Sequence, residues 1–271
     1  MKELNGRELA GFVKERQAHL VRSLRGQKIF PKLLIIRDSD NPVIVKYVNL
    51  KKQYGEDIGV TVVDKKVSEV SEACDVIRMA NADKTVSGII VQLPLLDKDR
   101  TDEVVNLIAP EKDVDGLSQI VTSEKRIFES ATATAINWLL AGHGIELADK
   151  KVALVGRGRL VGAPLERMWK NSGVDVTVFR HDSDLSLLKD FDVVVSATGV
   201  PHLIKSEMVS PGAVIVDAGT ASEGGVLVGD IDDEVRKRSD IFAITPKIGG
   251  VGPLTVSVLF EDVISASQKM L

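Results

Sequence analysis

Apolar residues along this chain follow two spacings. Short continuous apolar runs, as in KLLIIR at 32–37 and GIIVQ at 88–92, predict strands buried on both faces, whereas the segments between them repeat their apolar positions at helical intervals. The first half predicts a helix over about 6–24, a strand over 32–37, a helix over 45–58 and a strand over 60–63. A helix over 68–81 follows, with Ser68 and Ser71 as candidate caps, then a strand over 88–92 ending at Leu93-Pro94 and a helix over 99–108 before APEKDVDG breaks the pattern. A second series starts at Lys151: strand 152–155, helix 163–171, strands 175–179, 192–197, 213–217 and 241–244, and a final helix over about 253–269. Strands alternating with helices pair in parallel, the helices serving as crossovers. The expected fold class is α/β with two domains, an N-terminal α/β domain over 1–142 and a C-terminal Rossmann-like, doubly wound domain over 143–252. The last helix, about 253–271, is expected to return to the first domain, because both chain ends otherwise lack partners.

Composition narrows the partners. The chain has 271 residues, 44% of them hydrophobic, and a formal net charge of -4 with both signs interspersed, so no basic stripe argues for nucleic acid or an anionic membrane. Its one cysteine, Cys74, excludes an internal disulfide and a cysteine-based zinc site. His19, His143, His181 and His202 are scattered without metal-ligand spacing, and no metal is expected. The N-terminal stretch MKELNGRELAGFVKER lacks a signal-peptide core and no apolar run reaches membrane-spanning length, which predicts a cytoplasmic protein.

Five stretches are candidates for chemistry. VGRGRLVGAP, 155–164, carries Gly156-x-Gly158-x-x-x-Gly162, one residue longer than the usual dinucleotide fingerprint. Its place between a predicted strand and helix favours a phosphate-binding turn over a tight turn needing glycine only for packing. Arg157 and Arg180, assisted by His181, would suit the ribose phosphate of NADP, whereas Asp182 accepting from ribose hydroxyls would suit NAD; NADP is preferred. Tyr47 and Lys51, four apart, share a helical face and could donate and accept a proton if burial lowers the lysine's pKa, though the same spacing occurs on solvated helices. Gln92 at a strand's carboxyl end would point into a ligand crevice, and the turn PEKDVDG presents one carboxylate or is a solvated acidic turn. TPKIGGVGPLT, 245–255, forms a glycine- and proline-rich loop able to approach a flat ligand, with Pro253 suited to a first helical turn.

In order, YVNLK with GEDIGV, GIIVQLPL, IAPEKDVDGL, VGRGRLVGAP, SATGVPHLI, PGAVIVDAGT, VGDI and TPKIGGVGPLTVSVL resemble the methylenetetrahydrofolate dehydrogenase/cyclohydrolase family over nearly the whole chain. The resemblance implies that Lys51 is the acid/base residue for cyclohydrolase chemistry, that Tyr47 stacks on or polarises the folate, that Gln92 holds and tunes Lys51, and that Asp115 accepts hydrogen bonds from the pterin. It assigns Leu93, Gly249, Gly250, Pro253 and Thr255 to substrate binding alongside Tyr47, Gln92 and Asp115. Cofactor contact falls to Gly156, Arg157, Gly158, Val161, Gly162, Arg180, His181, Thr198, Gly199, Ala218, Gly219 and Thr220. The implied reactions are NADP-dependent oxidation of methylenetetrahydrofolate, with NAD as the alternative cofactor, and hydrolysis of the methenyl product to 10-formyltetrahydrofolate. The implied partners are tetrahydrofolate one-carbon derivatives and a second copy in a homodimer, with a place in one-carbon metabolism and purine biosynthesis.

Departures from the family pattern fall mainly on the loops. The Pro-Cys-Thr-Pro segment is Phe128-Glu129-Ser130-Ala131-Thr132-Ala133, which predicts a looser cleft wall; Ile44 replaces a small hydroxyl residue, Gly158 a serine, and Lys247-Ile248 a Val-Pro pair. Two other readings stay open: a family member retaining only the cyclohydrolase step, and a non-catalytic nucleotide-binding protein.

Overall fold

The structure, a computed structural model, describes residues 1–122, 124–219, 221–223 and 226–269. Along the chain run β1 (Lys2–Glu3), α1 (Gly6–Gly26), β2 (Lys32–Arg37), α2 (Pro42–Ile58), β3 (Thr61–Lys66), α3 (Val70–Ala82), β4 (Gly88–Val91), α4 (Thr101–Val105) and α5 (Ala131–Gly142). They are followed by β5 (Val152–Val155), α6 (Gly162–Asn171), β6 (Val176–Phe179), β7 (Val193–Ser196), β8 (Val214–Asp217), β9 (Ala221–Glu223), β10 (Val226–Val228), α7 (Asp233–Arg236), β11 (Ala243–Ile244) and α8 (Val251–Lys269). Contacts divide the chain into two compact units, one of Gly11–Ala131 with the segment from Val256 onward, the other of Met1–Ala10 with Thr132–Thr255.

In the first unit β2 lies between β3 and β4 in an all-parallel sheet, with Leu34 opposite Val63 and Ile89. Helices cover it on both sides, which is why β4 is buried at every position and why its sequence shows no alternation. Ile36, Cys74, Ile77, Ile89, Val104 and Ile108 belong to one buried cluster. As expected from the sequence, the terminal helix joins this unit: the Tyr54 ring of α2 stacks on Phe260 of α8 at 5.0 Å. The Tyr54 hydroxyl lies 2.8 Å from Gln17 Oε1 and 3.1 Å from Ser257 Oγ, and Gln17 Nε2 donates to the Ser257 carbonyl, so α1, α2 and α8 share one buried polar junction.

The second unit holds a six-stranded sheet in the order β1-β11-β8-β7-β5-β6, parallel throughout, the Rossmann-like plan expected. Strand β1 is unforeseen, because two residues cannot display a period; the Lys2 amide donates to the Phe242 carbonyl and the Leu4 amide, just past the strand, to that of Ile244. Helix α5 and the antiparallel β9–β10 hairpin are likewise absent from the sequence expectation. The segment 99–108, expected as one helix, is a 3-10 turn over Lys98–Arg100 and the short α4. Neither Ser68 nor Ser71 caps α3. Its N-cap is Glu69, and the Ser68 amide and hydroxyl both donate to the Glu72 carboxylate.

Candidate active site

Helix α2 starts where Asn41 Oδ1 accepts from the Val43 amide and stops at Gly59, whose φ of 84° suits the left-handed cap. Tyr47 and Lys51 sit one turn apart on it, both half-buried. Where β4 ends, the Gln92 amide still donates to the Ile36 carbonyl at 2.8 Å, which fixes the residue at the sheet's carboxyl edge. Lys51 Nζ donates to Gln92 Oε1 at 2.7 Å, and Gln92 Nε2 donates to the Leu93 carbonyl at 3.3 Å. The amide that would be an expensive intruder in a buried strand thus has its partners. Burial lowers the Lys51 pKa and the nearby Asp115 carboxylate partly offsets it; burial alone raises the Tyr47 phenol. The Asp115 carboxyl is pushed up to about 6 by burial, with Lys51 pulling it down and Asp113 pushing it up.

The charges of KDVDG divide by role. Lys112 is 4% exposed and its Nζ donates to the carbonyls of Ala80, Asn81 and Asp83 at 2.7 to 3.0 Å, closing the end of α3. Asp113 accepts from the Leu117 and Ser118 amides, holding the turn. Asp115 remains to face the lysine, with the Ala131 amide as its backbone donor. The stretch expected to form a loose wall is packed instead, with Ser130 1% and Ala131 0% exposed. It lies so close to Gly116, φ 61°, that a Cβ there would come within 2.6 Å of the Glu129 backbone. Ile44 is buried in the core. Asp262 of α8 has no signal in the sequence; burial, then Glu261 and Asp115, push its carboxyl up to about 8, against the pull of Lys269.

In the second unit the glycine turn is built by backbone contact. Gly156 has φ 96°, and a Cβ on it would meet the Ala197 carbonyl oxygen at 2.7 Å; a Cβ on Gly162 would lie 2.1 Å from the Gly156 carbonyl oxygen. A Cβ on Gly158 would meet nothing within 4 Å. Val161 precedes α6 and offers no side-chain cap, while the Ala163 amide donates to the Gly158 carbonyl at 3.0 Å and the Leu165 amide to the Val161 carbonyl at 2.9 Å. The two tight glycines let the turn pack backbone against backbone, Gly156 on the end of β7 and Gly162 on Gly156, the close strand-to-helix packing of a dinucleotide-type turn. Arg157 points back to Glu166, Nε to Oε2 at 2.5 Å, while Arg180, His181 and Asp182 are exposed beyond β6.

At the ends of β7 and β8, Thr198 uses both its amide and hydroxyl on Asp230 Oδ2, at 2.7 and 2.9 Å, and therefore presents neither proton to a ligand. Gly199 follows with φ 70°. Asp217 accepts from Gly219 and ion-pairs with Arg236; Ala218 is half-buried and Gly219 buried. Thr220 lies outside the described residues. Further on, Gly249 has φ 96° and its carbonyl accepts from the Arg7 amide at 2.9 Å, and a Cβ on Gly6 would lie 1.9 Å from the Gly250 oxygen, so α1 begins flush against this loop. Pro253 falls in the first turn of α8, and Thr255 Oγ1 donates to the Val251 carbonyl. Lys247 is ion-paired with Asp233 and Ile248 is 73% exposed. Among the described residues no cluster of His, Cys, Asp or Glu could hold a metal ion, and no helix is long and apolar enough to cross a membrane.

A half-buried lysine held by a glutamine beside a carboxylate, on a chain whose other unit carries a Rossmann-like sheet with a tight glycine turn before α6, marks a two-domain α/β enzyme of the dinucleotide-binding type. Residues 4–115 match the model of the tetrahydrofolate dehydrogenase/cyclohydrolase catalytic domain, and residues 130–271 match the NAD(P)-binding domain of the same family. The chain belongs to that family and is an enzyme of it. It is 36% identical over 279 residues to the bifunctional protein FolD of Lactobacillus helveticus, covering 99% of this chain and 98% of that one. The solved FolD dehydrogenase/cyclohydrolase of Campylobacter jejuni superposes with a TM-score of 0.93 at 32% identity, covering all of both chains. The Trypanosoma brucei enzyme, solved with NADP and an inhibitor, gives 0.90 at 28% identity over 98% of this chain and 96% of that one.

Proposed function

We propose that the protein oxidises methylenetetrahydrofolate to methenyltetrahydrofolate with NADP and hydrolyses the product to 10-formyltetrahydrofolate, acting as a cytoplasmic homodimer in one-carbon metabolism that feeds purine biosynthesis. The observation that carries this reading is Lys51, drawn below its usual pKa by burial and tied to Gln92 at 2.7 Å, with Asp115 close by. NADP, when bound, supplies the hydride acceptor. The chain's part in that step is alignment. Asp115, mostly ionised at neutral pH, accepts from pterin N–H groups, and Tyr47 packs against the folate. Leu93 would line the folate in the same unit, and the family resemblance also assigns Gly249, Gly250, Pro253 and Thr255, of the other unit, to substrate.

Hydration needs a group that both takes and returns a proton near neutral pH. In its unprotonated form, which burial makes more accessible, Lys51 accepts a proton from water as the water oxygen bonds to the methenyl carbon. It returns that proton to N5 as the carbon–N5 bond breaks, and the remaining hydroxyl proton leaves to solvent as the C=O bond forms, so that the neutral formyl group stays on N10 and one proton is released overall. Gln92 Oε1 holds the amine in place throughout. For the nucleotide, the backbone of Gly156, Gly158, Val161 and Gly162 would cradle the phosphates, with Gly199, Ala218 and Gly219 beside the ring-bearing half and Arg157, Arg180 and His181 near the adenosine ribose.

The test is purified protein with methylenetetrahydrofolate and either NADP or NAD, followed for methenyl product after acid quench, with methenyl hydrolysis assayed separately. Both steps are expected. The cyclohydrolase-only reading draws on Gly158, which offers no side-chain donor to a phosphate; hydrolysis without oxidation under either cofactor would select it. Absence of both steps would overturn the proposal.

A further inference from the structure

Glu166, in the second turn of α6, is 8% exposed, yet it carries two cations: Oε2 accepts from Arg157 Nε at 2.5 Å and Oε1 from Lys170 Nζ at 2.7 Å. The cationic side chains are 49% and 59% exposed, against 11% for the glutamate's. A buried carboxylate therefore sits behind the arginine that would meet the ribose phosphate, and both partners hold its pKa below the usual range, Lys170 foremost. The three charges sum to one positive charge where Arg157 and Lys170 alone would give two.

We infer that Glu166 is a specificity-determining residue that weakens recognition of the 2′-phosphate of NADP, so that this chain discriminates little between NADP and NAD. The inference rests on the dehydrogenase reading above and deepens it. A phosphate dianion bound to the terminal nitrogens of Arg157 stands within a few ångströms of a fixed carboxylate, and at that range like charges repel by an amount equal to several-fold to about tenfold in affinity. Pre-orientation of Arg157 by the same carboxylate works the other way. Its gain is smaller, because the guanidinium is held through Nε alone and its side chain stays half-exposed. Two further features act in the same direction as the repulsion. Gly158, where a Cβ would meet nothing within 4 Å, provides no hydroxyl to the phosphate, and Asp182, exposed after β6, is an acceptor suited to free ribose hydroxyls.

The test is calorimetric binding of NADP and of NAD to the full-length protein and to Glu166→Gln, which keeps the shape and one acceptor but removes the charge. The unaltered protein is expected to bind the two within about tenfold of one another, and Glu166→Gln to tighten NADP by about tenfold while NAD moves far less. Looser NADP binding in the variant would show that Glu166 orients Arg157 and would overturn the inference, as would an equal shift for both nucleotides. Preference for NADP beyond about a hundredfold in the unaltered protein would overturn it too and leave the dehydrogenase reading intact. Binding of neither nucleotide would overturn both. A circular dichroism melt of Glu166→Gln establishes that the fold is kept.

Discussion

Replacing Asp115 by Asn separates what its charge does for the site from what it costs the fold. Burial lifts this carboxyl from 3.8 to about 6, a rise of about two pH units, each worth about 1.4 kcal/mol. Ionising it in the folded chain is therefore harder than in the unfolded chain by about 3 kcal/mol, a difference that already includes the attraction of Lys51. Because the folded pKa is the higher one, the folded state binds more protons between about pH 4 and 6, and the group's contribution to stability falls as pH rises through that window and stays low above it. Asn keeps an oxygen for the Ala131 amide and has no charge to bury. The variant is expected to match the parent near pH 4, to draw ahead through the window, and to be more stable above about pH 6 by up to about 3 kcal/mol, while losing substrate affinity. Both tryptophans, Trp138 and Trp169, lie in the other unit, so the appropriate probe is hydrogen exchange of the β2 and β4 amides across the pH series. A stability difference independent of pH, or a variant less stable at neutral pH, would refute the reasoning.

Lys51→Met should lower methenyl hydrolysis by roughly 10²- to 10⁴-fold; a loss below about tenfold in a stopped-flow hydrolysis assay would remove the lysine from the proposed mechanism. Lys112→Met leaves the carbonyls of Ala80, Asn81 and Asp83 without their charged donor, and urea unfolding should register a loss of about 2–4 kcal/mol, while a neutral result would contradict the assignment of Lys112 to the end of α3. Gly162→Ala drives a methyl group to 2.1 Å from the Gly156 oxygen. The turn must open, and nucleotide affinity by calorimetry should fall at least about tenfold; unchanged affinity would mean that the turn does not hold the phosphates.

What the sequence made legible depended on how local each cause is. Apolar runs buried on both faces marked β2, β4, β5, β7 and β8, because a strand covered by helices must be apolar at successive positions, whatever lies elsewhere in the chain. Gln92 stood out for the same reason: a polar residue closing an apolar run has to find a partner, and Lys51 is that partner. Charged residues behave differently, since a charge says nothing by itself about which neighbour it meets. In KDVDG the three charges look alike on paper, yet one closes a helix, one ties a turn and one faces the lysine, a division made by β4, α3 and the start of α5. Glu166 and Lys170 read as an ordinary solvated pair one helical turn apart, until folding places Arg157 on the glutamate's other oxygen. Asp262 looks like the polar side of α8, until the helix returns to the first unit and burial with the neighbouring carboxyls raises its pKa. The motifs that announce the family are thus read from local backbone demands, whereas the settings of Glu166 behind Arg157 and of Asp262 near Asp115 appear only once the chain has folded.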